Sequence, residues 1–268
     1  MKEKEKILLE GIEFLRKSDE EINRLIISRV DDFISRLVLF LNEIELFNPA
    51  YGLVGTNDTQ ELIVKHILDS IAPLGILSRL LKNHAFRSQR PDDRAYPVPE
   101  NMIADAGSGA GLPGIPLAAA MPDARFTLIE RMGRRAGFLL NTKAVLSLSN
   151  ITVEENELEK TEGCFDLVTF RAFKPLEPKL LKTLYKICKP SGIIAAYKGK
   201  REKIESEMTL LAMNNEQGTE EKKQLAANNT RFQNCGNQGI ENKTLRWEAI
   251  PYTVPFLDEE RHLLVIKI

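Results

Sequence analysis

The sequence predicts an α/β protein with a largely parallel β-sheet that carries helices on both faces and follows a helical N-terminal region. Three observations support this fold class. From residue 101 onward, short apolar segments alternate with segments of helical periodicity. The first apolar segment runs into the glycine-rich stretch "DAGSGAGLPGIP" at 105–116. Upstream, apolar residues recur at the spacing of amphipathic helices.

The first part of the chain, residues 1–75, is expected to form a helical extension. Apolar side chains within 22–41 follow an i, i+3, i+4 pattern with charged residues opposite them. The segment "TQELIVKHILDSIAPLGIL" (59–77) predicts a further helix. The polar, proline-containing residues 83–99 are expected to form a loop. We therefore predict two regions, the extension and a sheet domain over 76–268.

Two of the expected parallel strands end in carboxylates. The strand predicted within "MIADAG" (102–107) ends at Asp105, and the strand "RFTLIE" (125–130) ends at Glu130. The remaining parallel strands are predicted at 151–154, 165–170 and 192–198, and the helices at 114–121, 134–148 and 176–188. Strands near 245–252 and 261–268 are expected to close the sheet as an antiparallel pair. Residues 212–243 are rich in Asn, Gln and Gly and poor in large apolar side chains, which predicts a flexible insertion.

The glycine-rich stretch is compatible with two kinds of ligand. Gly109, Gly111 and Gly114 match G-x-G-x-x-G, the dinucleotide-binding pattern. Glu130 follows about twenty residues later, where a ribose-binding acid belongs. An NAD-dependent oxidoreductase is therefore one alternative. Asp105 argues against it, because a carboxylate at this strand end would repel the pyrophosphate that lies over such a turn.

The same carboxylate favours a cationic ligand. S-adenosylmethionine carries a sulfonium, an α-ammonium and a ribose but no phosphate, so Asp105 would attract it. Gly107, Gly109 and Gly111 would let the backbone lie against the ligand, and Glu130 would accept the ribose hydroxyls. The pattern thus predicts S-adenosylmethionine as the cofactor. A glycine turn that serves only close strand–helix packing is the alternative.

Six stretches connect the chain to a known family. They are "HILDS" (66–70), "GSGAGLPGIPLA" (107–118), "FTLIERMGRRAGFL" (126–139), "FDLVTFRAFKPL" (165–176), "YKG" (197–199) and "ERHLLVIKI" (260–268). In this order they resemble the small-subunit (16S) ribosomal RNA guanine-N7 methyltransferase family, also called glucose-inhibited division protein B. G-L-P-G-I-P together with the later R-A-F and the terminal R-H-L is specific to that family.

The resemblance implies a cytoplasmic enzyme with a class I, Rossmann-like S-adenosylmethionine-dependent methyltransferase sheet and an N-terminal helical extension. Its substrate would be N7 of a guanine in 16S ribosomal RNA, either as RNA or within a ribosomal subunit. The family's cofactor contacts fall here on Gly107, Leu112, Leu158, Glu159 and Arg171. We expect a monomer that uses no metal ion and does not enter a membrane.

Methylation at guanine N7 needs no general base, because N7 carries a lone pair and no proton. Orientation alone contributes about 7–11 kcal/mol to such a transfer. No acid–base or nucleophilic constellation is found in the sequence, and Arg171 is the candidate for an active-site role. Its guanidinium stays protonated. We therefore expect it either to face the RNA or to pair with an acid such as Glu159.

RNA binding must come from local charge, because the net charge of the whole chain is only -1. The candidate RNA contacts are Arg134, Arg135, Lys174, Lys198, Lys200 and Arg201. Solvated helix faces would account for basic residues equally well, so their spacing alone does not decide their role. A non-catalytic RNA-binding ribosome-assembly factor on the same fold is the second alternative.

Overall fold

The computed structural model describes residues 3–88, 101–171, 175–221 and 245–268, and the side chains within them except those at 84–88 and 213–221. The N-terminal region is helical, as the sequence predicts. Its elements are α1 (Glu3–Ser18), α2 (Glu20–Ile26), a 3₁₀ turn (Ile27–Arg29), α3 (Val30–Tyr51), α4 (Thr59–Glu61), a π-helical segment (Leu62–Leu68), α5 (Asp69–Ile71) and α6 (Leu74–Ser88).

Local sequence signals explain where these helices begin and end. The Asp19 side chain accepts a hydrogen bond from the Glu21 backbone N–H at 2.9 Å and so caps α2. Gly52 ends α3 with a left-handed φ of 58°, and its N–H donates to the Asn48 carbonyl at 2.9 Å. Gly52 therefore ends α3, whereas Pro49 lies inside the last turn of the helix.

Within the described residues, seven strands form one sheet in the order β3-β2-β1-β4-β5-β7-β6. The strands are β1 (Met102–Ala106), β2 (Arg125–Glu130), β3 (Ile151–Glu155), β4 (Phe165–Arg171), β5 (Cys188–Lys198), β6 (Arg246–Pro251) and β7 (His262–Lys267). Neighbours among β1 to β5 are parallel, whereas β7 is antiparallel to both β5 and β6. The α/β class and the late antiparallel pair are confirmed.

In the part of the chain that the structure describes, four α-helices connect or follow these strands: α7 (Gly114–Ala120), α8 (Gly133–Val145), α9 (Pro178–Ile187) and α10 (Arg201–Glu221). Alternate residues of each strand point to opposite faces of the sheet. Ile103 and Leu167 pack in one apolar cluster with the N-terminal helices, and Ala104 and Val168 pack in a second cluster with α9 and α10. The sheet therefore lies between two helical layers.

The structure differs from the sequence-based boundaries in several places. The helix expected at 59–77 is divided into α4, the π-helical segment, α5 and the start of α6, and β5 begins at Cys188 rather than at 192. Helix α6 continues to Ser88, into the loop expected at 83–99, and α10 continues to Glu221, into the insertion expected at 212–243. The remainder of both segments lies outside the described residues. In α10 the strong helix formers Glu, Leu and Met before residue 212 allow the helix to propagate beyond it.

None of the helices that the structure describes is long and apolar enough to cross a membrane.

Candidate functional site

The glycine turn leaves β1 at the carboxyl edge of the sheet and leads into α7. Gly107, Gly109 and Gly111 have φ values of 68°, 59° and 83°, in the left-handed region that side chains rarely adopt. The Ser108 N–H donates to the Ile129 carbonyl at 3.0 Å, which ties the turn to the end of β2. The backbone of the turn is thus held in a shape that only a glycine-rich sequence can take.

At two positions of the turn, neighbouring side chains leave no room for a Cβ, so a residue other than glycine would not fit. A Cβ at Gly111 would collide with Ile115, and one at Gly114 would lie 2.7 Å from Oδ2 of Asp105. At Gly109, by contrast, the nearest atom to an added Cβ is the Gly107 carbonyl oxygen, 3.8 Å away. The backbone at Gly109 therefore borders open space, where a ligand can approach it closely.

Asp105, at the end of β1, supports this turn from inside the protein. Its side chain is only 1% exposed. Oδ2 accepts a hydrogen bond from the Ser108 hydroxyl at 2.7 Å and another from the Gly114 N–H at 3.0 Å. Burial raises the pKa of Asp105 to about 6, against the lowering effect of these hydrogen bonds. A turn-holding role for Asp105 was not among the sequence-based predictions.

Glu130, at the end of β2, holds the same turn from its other side. Its Oε2 accepts from the Gly109 N–H at 3.0 Å, and its Oε1 accepts from the Met132 N–H at 2.8 Å. The side chain is 5% exposed. The carboxylate therefore lies directly beside the open backbone of Gly109, at the edge where open α/β sheets bind ligands.

Arg171, the last residue of β4, reaches across to the N-terminal helices. Its NH1 lies 3.2 Å from Oδ2 of Asp69 and 3.2 Å from the carbonyls of Lys65 and His66, and its NH2 lies 3.0 Å from Nδ1 of His66. The expected pairing of Arg171 with an acid is confirmed, but the acid is Asp69. Glu159, the example that the sequence offered, is exposed in the 3₁₀ turn Leu158–Lys160, whose Leu158 packs on the opposite face of the sheet.

Asp69 is itself held by two more residues from the end of the chain. Its Oδ1 accepts from the Tyr252 hydroxyl at 3.0 Å and lies 3.6 Å from Nε of Arg261. Burial raises the pKa of Asp69, and Arg171 and Arg261 oppose that shift. Asp69 thus joins the helical extension, β4 and the C-terminal hairpin in one buried polar cluster.

The neutral form of His66 is favoured in this cluster. Burial and the adjacent charge of Arg171 lower the pKa of His66 to about 4. A neutral imidazole with its proton on Nε2 presents a lone pair on Nδ1 to the Arg171 guanidinium. His66 is therefore a structural partner of Arg171.

Comparison with known proteins now adds to this geometry. Residues 33–232 match the model of the family described as rRNA small subunit methyltransferase G. The chain belongs to this family. Membership confirms the predicted family, the class I methyltransferase fold and the prediction of an enzyme, and neither the oxidoreductase nor the non-catalytic assembly factor is supported.

Relatives in the rRNA small subunit methyltransferase G family cover nearly the whole chain. The enzyme of that name from Treponema denticola is 35% identical over 275 residues, spanning 97% of this chain and 93% of the relative. The one from Yersinia pseudotuberculosis is 30% identical and spans 94% of this chain and 98% of the relative. A crystallised S-adenosylmethionine-dependent methyltransferase from Aquifex aeolicus has 14% identity and a TM-score of 0.43, covering 79% of this chain and 94% of its own.

The residues around the glycine turn fit the S-adenosylmethionine that this methyltransferase family requires. Open backbone at Gly109 offers close approach, and the carboxylate of Glu130 stands beside it. Leu112 follows the glycine turn and Leu158 follows β3, but both are only 5% exposed; Glu159, next to Leu158, is exposed. Groups of three or more metal-ligating side chains do not occur among the described residues.

The predicted RNA contacts of this rRNA methyltransferase fall into two sets. Arg134 and Lys200 are exposed, and Arg201 is exposed while pairing with Glu205 one helical turn away at 2.8 Å. The second set is bound to the protein: Arg135 donates to the Gly52 carbonyl at 2.9 Å, and Lys198 pairs with Glu207 at 2.7 Å. Lys174 lies outside the described residues.

Sequence reasoning missed the buried cluster around Arg171. Asp69 and Tyr252 had no assigned role, although Asp69 lies in "HILDS" and Arg171 begins "RAF", two of the stretches that carry the family resemblance. The presence of both residues in family motifs is the sequence signal that could have identified the Asp69–Arg171 pair.

Proposed function

We propose that this protein transfers the methyl group of S-adenosylmethionine to N7 of a guanine in small-subunit ribosomal RNA. The observation that carries the proposal is the left-handed glycine turn, which is held between the carboxylates of Asp105 and Glu130 at the ligand-binding edge of the sheet. Family membership supplies the rRNA substrate class. When bound, S-adenosylmethionine supplies an electrophilic methyl group on its sulfonium.

Glu130 and Asp105 are proposed to have different roles in cofactor binding, because they lie at different positions relative to the glycine turn. Glu130 is proposed to accept the ribose hydroxyls, because its carboxylate borders the open backbone at Gly109. Asp105 is proposed to supply negative potential from beneath the turn, where it favours a cationic ligand. The further proposed contacts are Gly107, Gly111, Leu112, Leu158, Glu159 and Arg171.

The described histidines fit a transfer that needs no general base. His66 is bound to Arg171 and has its pKa lowered to about 4, and His262 is 4% exposed with its Nδ1 2.9 Å from the Gly199 carbonyl. Arg171 stays protonated and is no base. Guanine N7 has no proton to remove, so what the protein must provide is alignment of N7 with the sulfonium methyl.

The RNA is proposed to approach the carboxyl edge over exposed basic residues. Arg134 and Lys200 are the best supported, because both are exposed and follow β2 and β5 at that edge. Arg135, Lys174, Lys198 and Arg201 complete the proposed RNA contacts.

We further propose that residues 1–75 form an extension of a methyltransferase domain over 76–268. The protein is also proposed to act as a cytoplasmic monomer without a metal ion; sedimentation tests the oligomeric state, and metal analysis tests the metal content.

One experiment tests the reaction directly. The purified protein is incubated with small ribosomal subunits, and separately with naked small-subunit RNA, in the presence of S-adenosylmethionine labelled in its methyl group. Chemical cleavage at N7-methylguanine then maps the label. We expect a single N7-methylguanine; label in another base, at another guanine atom or on a ribose would reject the proposal. Comparison of the two substrates shows whether RNA or subunit is preferred.

A further inference from the structure

The ion pair between Asp69 and Arg171 connects the N-terminal helices to the cofactor edge of the sheet. The two side chains are 7% and 12% exposed, and NH1 of Arg171 lies 3.2 Å from Oδ2 of Asp69. Two further hydrogen bonds join NH1 of Arg171 to helix carbonyls in the π-helical segment Leu62–Leu68, a type of distortion that recurs at functional sites.

The Asp69 carboxylate has little freedom to turn away. Its other oxygen is fixed by the Tyr252 hydroxyl and the Arg261 guanidinium, while Arg261 also pairs with Glu259 at 3.0 Å. A carboxylate held on both oxygens sets the plane and position of the guanidinium that it binds. Arg171, in turn, lies close enough to the buried Asp105 to lower the pKa of that carboxyl.

We propose that Asp69 is a positioning residue for Arg171: it fixes the Arg171 guanidinium beside the cofactor-binding edge, so that the helical extension contributes to methyl transfer through this ion pair. The inference rests on the proposed function and names a residue of that same site. Asp69 is not itself a proposed cofactor or RNA contact; it is paired with one, Arg171, and acts through that residue.

A merely structural ion pair would produce a different pattern of effects. Loss of a buried charge partner destabilises a protein whatever its function. It would lower the melting temperature and leave the turnover of the folded enzyme unchanged. A positioning role instead makes the effect of Asp69 on turnover depend on the presence of Arg171, which a double-mutant cycle measures.

The test compares Asp69→Asn, Arg171→Gln and the double variant with the wild type. For each, the melting temperature, the calorimetric affinity for S-adenosylhomocysteine, and kcat and KM with small-subunit substrate are measured, with label in the transferred methyl group for sensitivity. Asp166→Asn is the matched control: Asp166 is a carboxylate only 9% exposed, paired with Lys189 at 2.8 Å, at the opposite edge of the sheet. It reports loss of stability without a contact to the site.

We expect Asp69→Asn to lower kcat about tenfold when Arg171 is present and less than about twofold when Arg171 is already Gln. The control is expected to lower the melting temperature with kcat of the folded fraction unchanged. Equal kcat effects of Asp69→Asn in both backgrounds, or an effect no larger than that of the control, would overturn the inference.

Tyr252→Phe keeps the test decisive if Asp69→Asn does not fold. It removes one hydroxyl that donates to Asp69, and it should lower kcat by about two- to threefold only in the Arg171 background. Independent effects would again reject the positioning role. A wild type that transfers no methyl group to small-subunit RNA rejects the proposed function and this inference with it, whereas an active wild type with independent effects rejects the inference alone.

Discussion

Replacing Glu130 by Gln tests two roles of one carboxylate, its observed support of the glycine turn and its proposed contact with the cofactor ribose. Both oxygens of Glu130 accept backbone hydrogen bonds, from Gly109 at 3.0 Å and from Met132 at 2.8 Å. Glutamine has one carbonyl oxygen and one amide group. The amide would face a backbone N–H donor, so Glu130→Gln loses at least one of these hydrogen bonds even before any cofactor is present.

The size of the effect follows from the burial of the group. A hydrogen bond to a charged partner contributes about 1.5–3 kcal/mol, so we expect the free energy of unfolding of the ligand-free variant to fall by about 2 kcal/mol. For a chain of this size, about 1 kcal/mol shifts the melting temperature by roughly 2–4 °C. The expected decrease is therefore about 4–8 °C. Loss of the ribose contact adds about 1–3 kcal/mol, or roughly 5–150-fold weaker cofactor binding.

The loss of stability is measured by thermal denaturation without ligand. The loss of affinity is measured by calorimetric titration with S-adenosylhomocysteine, at a temperature where the wild type and the variant are both folded. Glu155→Gln is the control, because Glu155 is exposed and lies directly opposite Glu130 in the β2–β3 register; it should change neither quantity appreciably. A ligand-free melting temperature equal to that of the wild type would refute the turn-holding role. Unchanged affinity in the folded variant would refute the ribose contact.

Three further predictions follow from the other charged groups. Arg135→Ala should lower the melting temperature because it loses a contact with the extension, whereas Arg134→Ala should weaken RNA binding and reduce its salt dependence by about one phosphate contact without loss of stability. Lys198→Gln should lower the melting temperature because its ion pair with α10 is lost, and a purely RNA-binding defect would contradict the pairing. The raised pKa of Asp105 means that its contribution to stability is full below about pH 4 and is lost as the pH rises through about 6; the melting temperature of Asp105→Asn relative to wild type should therefore increase over that interval.

The glycine turn could be predicted because its causes are local. Left-handed φ values at Gly107, Gly109 and Gly111 are accessible because glycine has no Cβ, and the glycines can be read directly from the sequence. The strands that end in Asp105 and Glu130 are also marked by short apolar runs. Local pattern therefore fixed both the turn and its two carboxylates, although not the backbone hydrogen bonds that those carboxylates accept.

The partners of the basic residues could not be predicted, because they depend on distant parts of the chain. Arg171 and Asp69 are 102 residues apart in sequence, and no spacing rule connects them. Lys198 was expected at an RNA surface because β5 ends there, but α10 folds back so that Glu207 reaches it. An arginine or lysine at a strand end has two competing partners, the ligand and the protein, and only the tertiary packing decides between them.

The helical extension and the sheet share one hydrophobic core, so the position of Arg171 depends on both. Leu37 and Ile44 of α3 belong to the same apolar cluster as Ile103 and Leu167 of the sheet. Removing the extension would expose that cluster and leave the guanidinium of Arg171 without its carboxylate, and an unpaired buried charge typically costs about 3–5 kcal/mol. We therefore infer that the sheet requires the extension for stability as well as for the position of Arg171.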